Sequence, residues 1–222
     1  ISELIKVIGY SEKDITSLLK KVKSKELTLT FLGAGGTGMN TAYWLAKLAE
    51  LTNTVNLFHK TIVFEKETAE YSNLLRFPFG AATYAKAFNF STSDLPLKTD
   101  LIRQFLPRIS RSHEINQAYL TEDNYKAYPS VTENGKTRPD VILYGAPGIE
   151  YRNFFSSLGN FISATHADTS SSIWVNPHQD IDLQVESYGM IQLGVFFVNQ
   201  LRLAIGLLEV LANNDTSTMV DA

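Results

Sequence analysis

The sequence predicts an α/β fold: a mostly parallel sheet with helices on both faces. Three observations carry this expectation. Strand-like and helix-like periods alternate along most of the 222 residues. An alternating apolar run over residues 27–32 ends in the glycine turn Gly33-Ala34-Gly35-Gly36-Thr37-Gly38. A second β-branched and aromatic run, residues 61–64, ends at an acid, Glu65. A glycine turn between a first strand and a helix makes the expected sheet Rossmann-like.

Residues 11–23 read as an amphipathic helix, with Ser11 and Asp14 resembling a capping box and Ile15, Leu18, Leu19 and Val22 at helical spacing. Residues 27–32 are the first strand. Residues 39–50 predict a helix whose Ala42, Ala46 and Ala49 form a small-residue stripe, which lets it lie close to the sheet. Residues 61–64 are the second strand. Residues 77–97 contain Pro78, Gly80 and Pro96 among many Ser, Thr and Ala, and read as a mobile crossover or lid. Residues 98–109 predict a helix with Pro107 in its last turn, and residues 114–120 the next strand.

Further on, residues 131–139 form a polar turn around Asn134-Gly135, followed by a buried strand over 141–144. Residues 152–158 are expected to be helical, and 161–164 and 173–175 to be short strands. Residues 189–211 predict the closing helix, and 213–222 a polar tail that frays. All-round apolarity at Val195, Phe196, Val198, Leu201, Ile205 and Leu208 implies burial on several sides, as in a dimer. The whole chain, 1–222, is expected to form one domain with its core over about 27–211.

Composition narrows the function classes. Hydrophobic residues at 44% and aromatics at 11% fit a folded globule. A formal charge of -3 gives no whole-chain reason to expect nucleic acid or an anionic membrane as partner. The chain has no cysteine, which excludes a disulfide framework, a thiolate zinc site and a cysteine nucleophile or thioester. The apolar stretch 191–211 approaches membrane-spanning length. It carries Gln192, Asn199, Gln200, Arg202 and Glu209, so a buried or interface helix is expected. No secretory signal precedes the first strand, and a cytoplasmic location is expected. His59, His113, His166 and His178 show no metal-ligand spacing and read as structural; His166 alone falls near the expected site rim.

Gly33, Gly35 and Gly38 satisfy G-x-G-x-x-G. The spacing allows a tight turn, close approach of backbone N–H groups to a phosphate, and close packing of helix on strand. Glu65 could accept both hydroxyl protons of a ribose, across a first crossover longer than a compact dinucleotide unit uses. On these residues alone NAD is the generic ligand, and an NAD-dependent oxidoreductase the corresponding reading.

The residues after Glu65 redirect the choice. Glu65, Glu67, Ser72, Asn73, Leu74 and Arg76 keep, without gaps, the spacing of D-x-D-x-V-x-x-S-N-L-x-R-Q. That segment, with the G-x-G-G-x-G match at Gly33, Gly35, Gly36 and Gly38, resembles the ThiF/MoeB/HesA and ubiquitin-activating-enzyme superfamily. The resemblance implies a ThiF-like domain that binds ATP with magnesium and adenylates the C-terminal carboxylate of a ubiquitin-like or sulfur-carrier protein. It implies further that Glu65 holds the ribose while Asn73 and Arg76 face the phosphates, and that the chain pairs with itself or a related subunit. An arginine so placed stabilises charge developing on the α-phosphate. Read without the family, Arg76 is a surface arginine paired with Glu67 or Glu70. The family lysine that follows falls on Lys98, in Leu95-Pro96-Leu97-Lys98-Thr99, or on Lys86, in Tyr84-Ala85-Lys86-Ala87.

The pattern breaks in one place that matters. Aligning Arg152-Asn153 with the family arginine puts Pro147 where the family carries its magnesium-positioning aspartate. Glu150 and Asp168 are the nearby acids, and the metal ligands stay unassigned. The paired C-x-x-C motifs and the N-terminal R-Y-x-R-Q segment of many relatives are also missing; Lys20, Lys21 or Lys23 could supply positive charge instead. A catalytically degenerate scaffold or nucleotide-binding subunit is therefore the alternative to an active adenylyltransferase.

Overall fold

The computed structural model describes residues 1–70, 73, 77–78, 95–128, 132–133, 136–137, 141–144, 154, 161–166, 171–175 and 193–213. In chain order these give α1 (Ser2–Val7), α2 (Glu12–Ser24), β1 (Thr28–Leu32), α3 (Gly36–Leu51) and β2 (Phe58–Phe64). There follow α4 (Lys98–Ile102), α5 (Leu106–Ile109), β3 (Ser110–Asn116) and a single 3-10 turn, Tyr125–Ala127. Then come β4 (Thr132–Glu133), β5 (Lys136–Thr137), β6 (Val141–Tyr144), β7 (Phe161–His166), β8 (Ser171–Val175) and α6 (Leu193–Asn213).

The sheet has six strands in the order β3-β2-β1-β6-β7-β8. All neighbours are parallel except β8, which runs antiparallel to β7 at the edge. From β1 the chain builds outward to β2 and β3, then returns to β1's other side for β6. The direction of winding thus reverses between β1 and β6, and in open α/β sheets the crevice beyond the carboxyl ends at such a switch receives ligands.

β1 is buried throughout from Leu29 to Leu32, as a central strand covered on both faces must be. Leu29 and Phe31 join the large core with Ile15, Leu19 and Val22 of α2, and with Leu201, Ile205 and Leu208 of α6. Ala42 and Ala46 of α3 lie in the same core, so the alanine stripe does pack inward. Leu32 turns to the opposite face, where Ile62, Phe64 and Leu120 form a smaller core against Tyr125, Tyr128 and Phe154. The period of two along β1 therefore separates two apolar layers.

Several boundaries differ from the sequence expectation for visible reasons. The capping box on α2 is present, with the Ser11 hydroxyl accepting the Asp14 N–H and the Asp14 carboxylate accepting the Ser11 N–H. Helix α3 starts three residues before position 39, because Gly36, Thr37 and Gly38 form its first turn. Strand β2 begins at Phe58, where it already pairs with Ser110. The helix expected over 98–109 is two short helices. Pro107 lies in the first turn of α5, where its missing N–H removes no helical bond. β3 occupies 110–116 instead of 114–120; the Ser110 and Thr61 hydroxyls are bonded at 2.8 Å, and Leu120 belongs to the second core. Within 131–139, read from sequence as a polar turn, β4 and β5 form a short antiparallel pair flanking positions 134–135. Helix α1, which buries Ile5, was not foreseen. Most of 77–97, most of 152–158 and all of 214–222 lie outside the described residues.

Among the described residues no helix is long and apolar enough to cross a membrane. Helix α6 packs on α2, α3, β7 and β8. That packing buries Leu201, Ile205 and Leu208 within the chain itself, while Arg202 stays exposed.

Candidate functional site

The ladder between β1 and β2 continues one step past both strands. Leu32 pairs with Phe64, and the Gly33 N–H then donates to the Phe64 carbonyl at 2.9 Å. On the other side the Glu65 N–H donates to the Asn116 carbonyl at 3.1 Å. Strand register thus sets the glycine turn and Glu65 side by side, across 31 residues of sequence between Ala34 and Glu65.

Gly33 has φ +97°, in the left-handed region where a β-carbon is strained. A β-carbon on Gly38 would collide with the Gly33 carbonyl oxygen, so helix α3 sits directly on the turn because that residue has none. Gly35 is different: a β-carbon there would meet nothing within 4 Å. Gly35 is also the N-cap of α3, and no side chain among the described residues caps that end. The Gly36 carbonyl accepts the Asn40 side-chain amide at 2.7 Å, inside the first turn. An open, uncapped helix start of 16 residues presents N–H groups and a partial positive charge to an anion.

Glu65 is buried, at 3% exposure. Its Oε2 accepts the Ala34 N–H, and its Oε1 accepts the N–H groups of Lys66 and Glu67, each at 2.9 Å. The carboxylate therefore clasps the glycine turn to the end of β2. An ionised carboxylate offers about four lone-pair positions, and three backbone donors occupy them here. The remaining capacity suits about one hydroxyl, so the expectation that Glu65 takes both ribose hydroxyls is reduced to one unless the clasp opens.

The segment after β2 runs back along the entry to α4. Thr68 and Leu97 form an antiparallel bridge, the Ala69 N–H donates to the Pro96 carbonyl, and the Lys98 N–H donates to the Glu67 carbonyl. These contacts deliver Lys98 beside Glu67. The Lys98 ammonium lies 2.5 Å from Glu67 Oε2, with the lysine side chain 7% exposed and the glutamate side chain 49%. The Tyr119 hydroxyl donates to Glu67 Oε1. The Lys66 ammonium stands 4.5 Å from the centre of the Tyr119 ring. The bond from Lys98 holds the Glu67 carboxyl below the usual carboxylate range, and the Tyr119 hydroxyl adds to it. Burial and the bond to Glu67 push the Tyr119 phenol up.

Gly33, Gly35, Gly36, Gly38, Glu65 and Lys98 are thus gathered at the carboxyl edge of β1 and β2. Asn73 is placed nearby in sequence and has a local duty: its side-chain oxygen accepts the Glu70 N–H at 3.0 Å. Glu67 is engaged by Lys98 and Tyr119. Ser72, Leu74, Arg76, Lys86, Pro147, Glu150, Arg152, Asn153 and Asp168 lie outside the described residues. Among the described residues no group of three or more histidine or acidic side chains gathers as for a metal ion. Tyr119 is the site residue that sequence reasoning missed. It belongs to no motif, and only the parallel register of β3 beside β2 carries it to Glu67.

The fold is Rossmann-type and ThiF-like. Among solved structures it is similar to E. coli MccB bound to AMPCPP and MccA, with 16% identity, TM-score 0.57, and coverage of 90% of this chain and 60% of that one. It is also similar to E. coli MccB with ATP (17% identity, TM-score 0.55, 90% and 60% covered). A further likeness is to PaaA (13% identity, TM-score 0.54, 90% and 59% covered). The chain spans about 60% of the length of these structures. No protein-family model and no curated protein matches its sequence.

Proposed function

We propose that the chain binds ATP at the glycine turn and adenylates the C-terminal carboxylate of a small protein or peptide. The observation that carries this reading is the convergence of an open, uncapped glycine turn, the Glu65 clasp and buried Lys98 on one sheet edge. The likeness to MccB, solved with ATP and with AMPCPP and MccA, supports a nucleotide and a small peptide as ligands. A ubiquitin-like or sulfur-carrier protein is the partner the motif resemblance adds.

In this reading a carboxylate oxygen of the partner attacks the α-phosphorus. The bond to the bridging oxygen breaks and pyrophosphate leaves. The α3 N–H groups hold phosphate oxygens, Glu65 accepts one ribose hydroxyl, and Arg76 and Lys98 steady the charge that develops. The described acids do not fit a magnesium site, since Glu65 is occupied by backbone donors and Glu67 by Lys98 and Tyr119. Glu150 and Asp168 remain the nearby acids of the sequence, and the metal ligands stay unassigned. A paired subunit, identical or related, is part of the proposal.

Calorimetric titration with ATP, with and without magnesium, tests the reading alongside Arg76→Ala. Magnesium-dependent binding that weakens in the variant supports it, and absence of ATP–pyrophosphate exchange with a cognate partner refutes the catalytic part. Pro147 favours a second reading, a nucleotide-binding scaffold without catalysis. There, Pro147→Asp leaves exchange at background while ATP still binds; recovery of exchange in that variant would count against it.

A further inference from the structure

We propose that Tyr119 is a positioning residue that lets Lys98 pass from Glu67 to an incoming polyphosphate; this rests on the nucleotide reading above. The two donors sit on different oxygens of one carboxylate, Lys98 on Oε2 and the Tyr119 hydroxyl on Oε1. Lys98 can therefore depart while Tyr119 stays bonded. The Lys66 ammonium over the Tyr119 ring keeps a second positive charge beside the same carboxylate.

Burial decides which partner can change. The Glu67 side chain is half exposed and rehydrates when its lysine leaves, whereas the Lys98 side chain is enclosed. An enclosed ammonium without a counter-charge is costly, so Lys98 leaves Glu67 only for another anion. The exchange is thus selective for phosphate over the rest of a nucleotide. Tyr119 favours the transferred state, because its bond to Glu67 is worth more once Lys98 no longer shares that carboxylate. With phenylalanine at 119, Glu67 keeps Lys98 as its side-chain hydrogen-bond donor and holds it more tightly.

The test compares wild type, Tyr119→Phe and Glu67→Gln by calorimetry with ATP and with adenosine, alongside amine acylation of Lys98 read by mass spectrometry. Tyr119→Phe is expected to weaken ATP by roughly three- to tenfold, a part of the worth of one hydrogen bond to a charged group, since the bond is made in both states. Adenosine binding is expected to stay within about twofold, because no phosphate competes for the lysine. Glu67→Gln should shift ATP affinity the other way, since a neutral amide competes poorly for Lys98. Acylation of Lys98 should slow in Tyr119→Phe and quicken in Glu67→Gln. A purely structural tyrosine would lower stability and affect ATP and adenosine alike, and that pattern overturns the proposal. Equal or tighter ATP binding by Tyr119→Phe overturns it too. If no form binds ATP, the nucleotide reading falls and this exchange falls with it. If ATP binds but neither its affinity nor Lys98 acylation responds at 119, only the role of Tyr119 is lost.

Discussion

Glu65→Gln separates the clasp from its charge with almost no change of shape. The glutamate accepts three backbone N–H groups, two on Oε1 and one on Oε2. A glutamine can keep its oxygen toward Lys66 and Glu67, which retains two bonds as neutral ones. Its NH2 then faces the Ala34 N–H, donor against donor, at a residue that is 3% exposed. A hydrogen bond to a charged group contributes ~1.5–3 kcal/mol and a neutral one ~0.5–1.5, while an orphaned buried donor costs ~1–3. Easier burial of the neutral amide offsets part of the loss, leaving a net destabilisation of about 2–4 kcal/mol. In a chain of this size that lowers Tm by roughly 5–15 °C. Urea unfolding followed by far-UV circular dichroism, with the m-value unchanged, measures it. Glu65→Ala should fall further, since all three donors lose their acceptor. A Glu65→Gln stability within about 0.5 kcal/mol of wild type would refute the clasp as the element joining turn and strand.

The glycine turn makes a paired prediction. Gly38→Ala drives a methyl group into the Gly33 carbonyl and should lose ~1–3 kcal/mol of stability, whereas Gly35→Ala enters open space, keeps stability within about 1 kcal/mol, and weakens ATP at least about tenfold by calorimetry. At acid pH, Glu67 is a group whose folded pKa lies below its unfolded value near 4.5, so its contribution is present above that value and is lost as pH falls through the folded one. The stability gap between wild type and Glu67→Gln should accordingly close below about pH 4.5 in denaturation curves. At alkaline pH the sign reverses. Burial first, and then the 2.8 Å bond to Glu209, push the Tyr10 phenol from 10.0 up to about 12. The link from the N-terminal segment to α6 should then be intact below pH 10 and be lost between about 10 and 12, in thermal melts where Tyr10→Phe shows no such step.

Signals that depend on neighbours in sequence were legible. The alternation of residues 27–32, the Ser11–Asp14 box and the Asn-Gly turn each have local causes, and the structure returns each of them within a residue or two. The glycine spacing was legible for the same reason, down to the left-handed Gly33 and the close approach at Gly38. Errors arose where pairing decides the boundary. β3 is polar from 110 to 113 (Ser-Arg-Ser-His), with no apolar alternation to mark a strand, yet Ser110 pairs with Phe58 and bonds Thr61, so the strand begins there. The break between α4 and α5 is hidden in the sequence, because a proline near a helix end and one near a helix start look alike there. Glu65 was found but its work was not. An acid at a strand end suggests a ligand, and only the register of Leu32 with Phe64 shows that backbone donors reach it first. Tyr119 gave no signal, since its partner is 52 residues away.

The charges at the sheet edge set a condition that any nucleotide reading must meet. Among the described residues there, the carboxylates of Glu65 and Glu67 stand against the ammonium groups of Lys66 and Lys98, so the cluster has no excess positive charge. The uncapped start of α3 adds only about half an elementary charge. A triphosphate carries several negative charges, and bringing it here without further cations would set it against Glu65 and Glu67. Extra positive charge has to come from magnesium arriving with the nucleotide, from another subunit, or from a cation outside the described residues, with Arg76 the first candidate and Lys86 and Arg152 the others. These sources differ in one measurable respect. Magnesium as the source makes ATP affinity fall steeply in chelator while Arg76→Ala changes it little. Arg76 as the source gives the opposite pair of results. Loss under both treatments means that each supplies part of the charge. Indifference to both, with tight ATP binding, leaves Lys86, Arg152 or a cationic side chain from a partner, and only the last makes affinity depend on protein concentration.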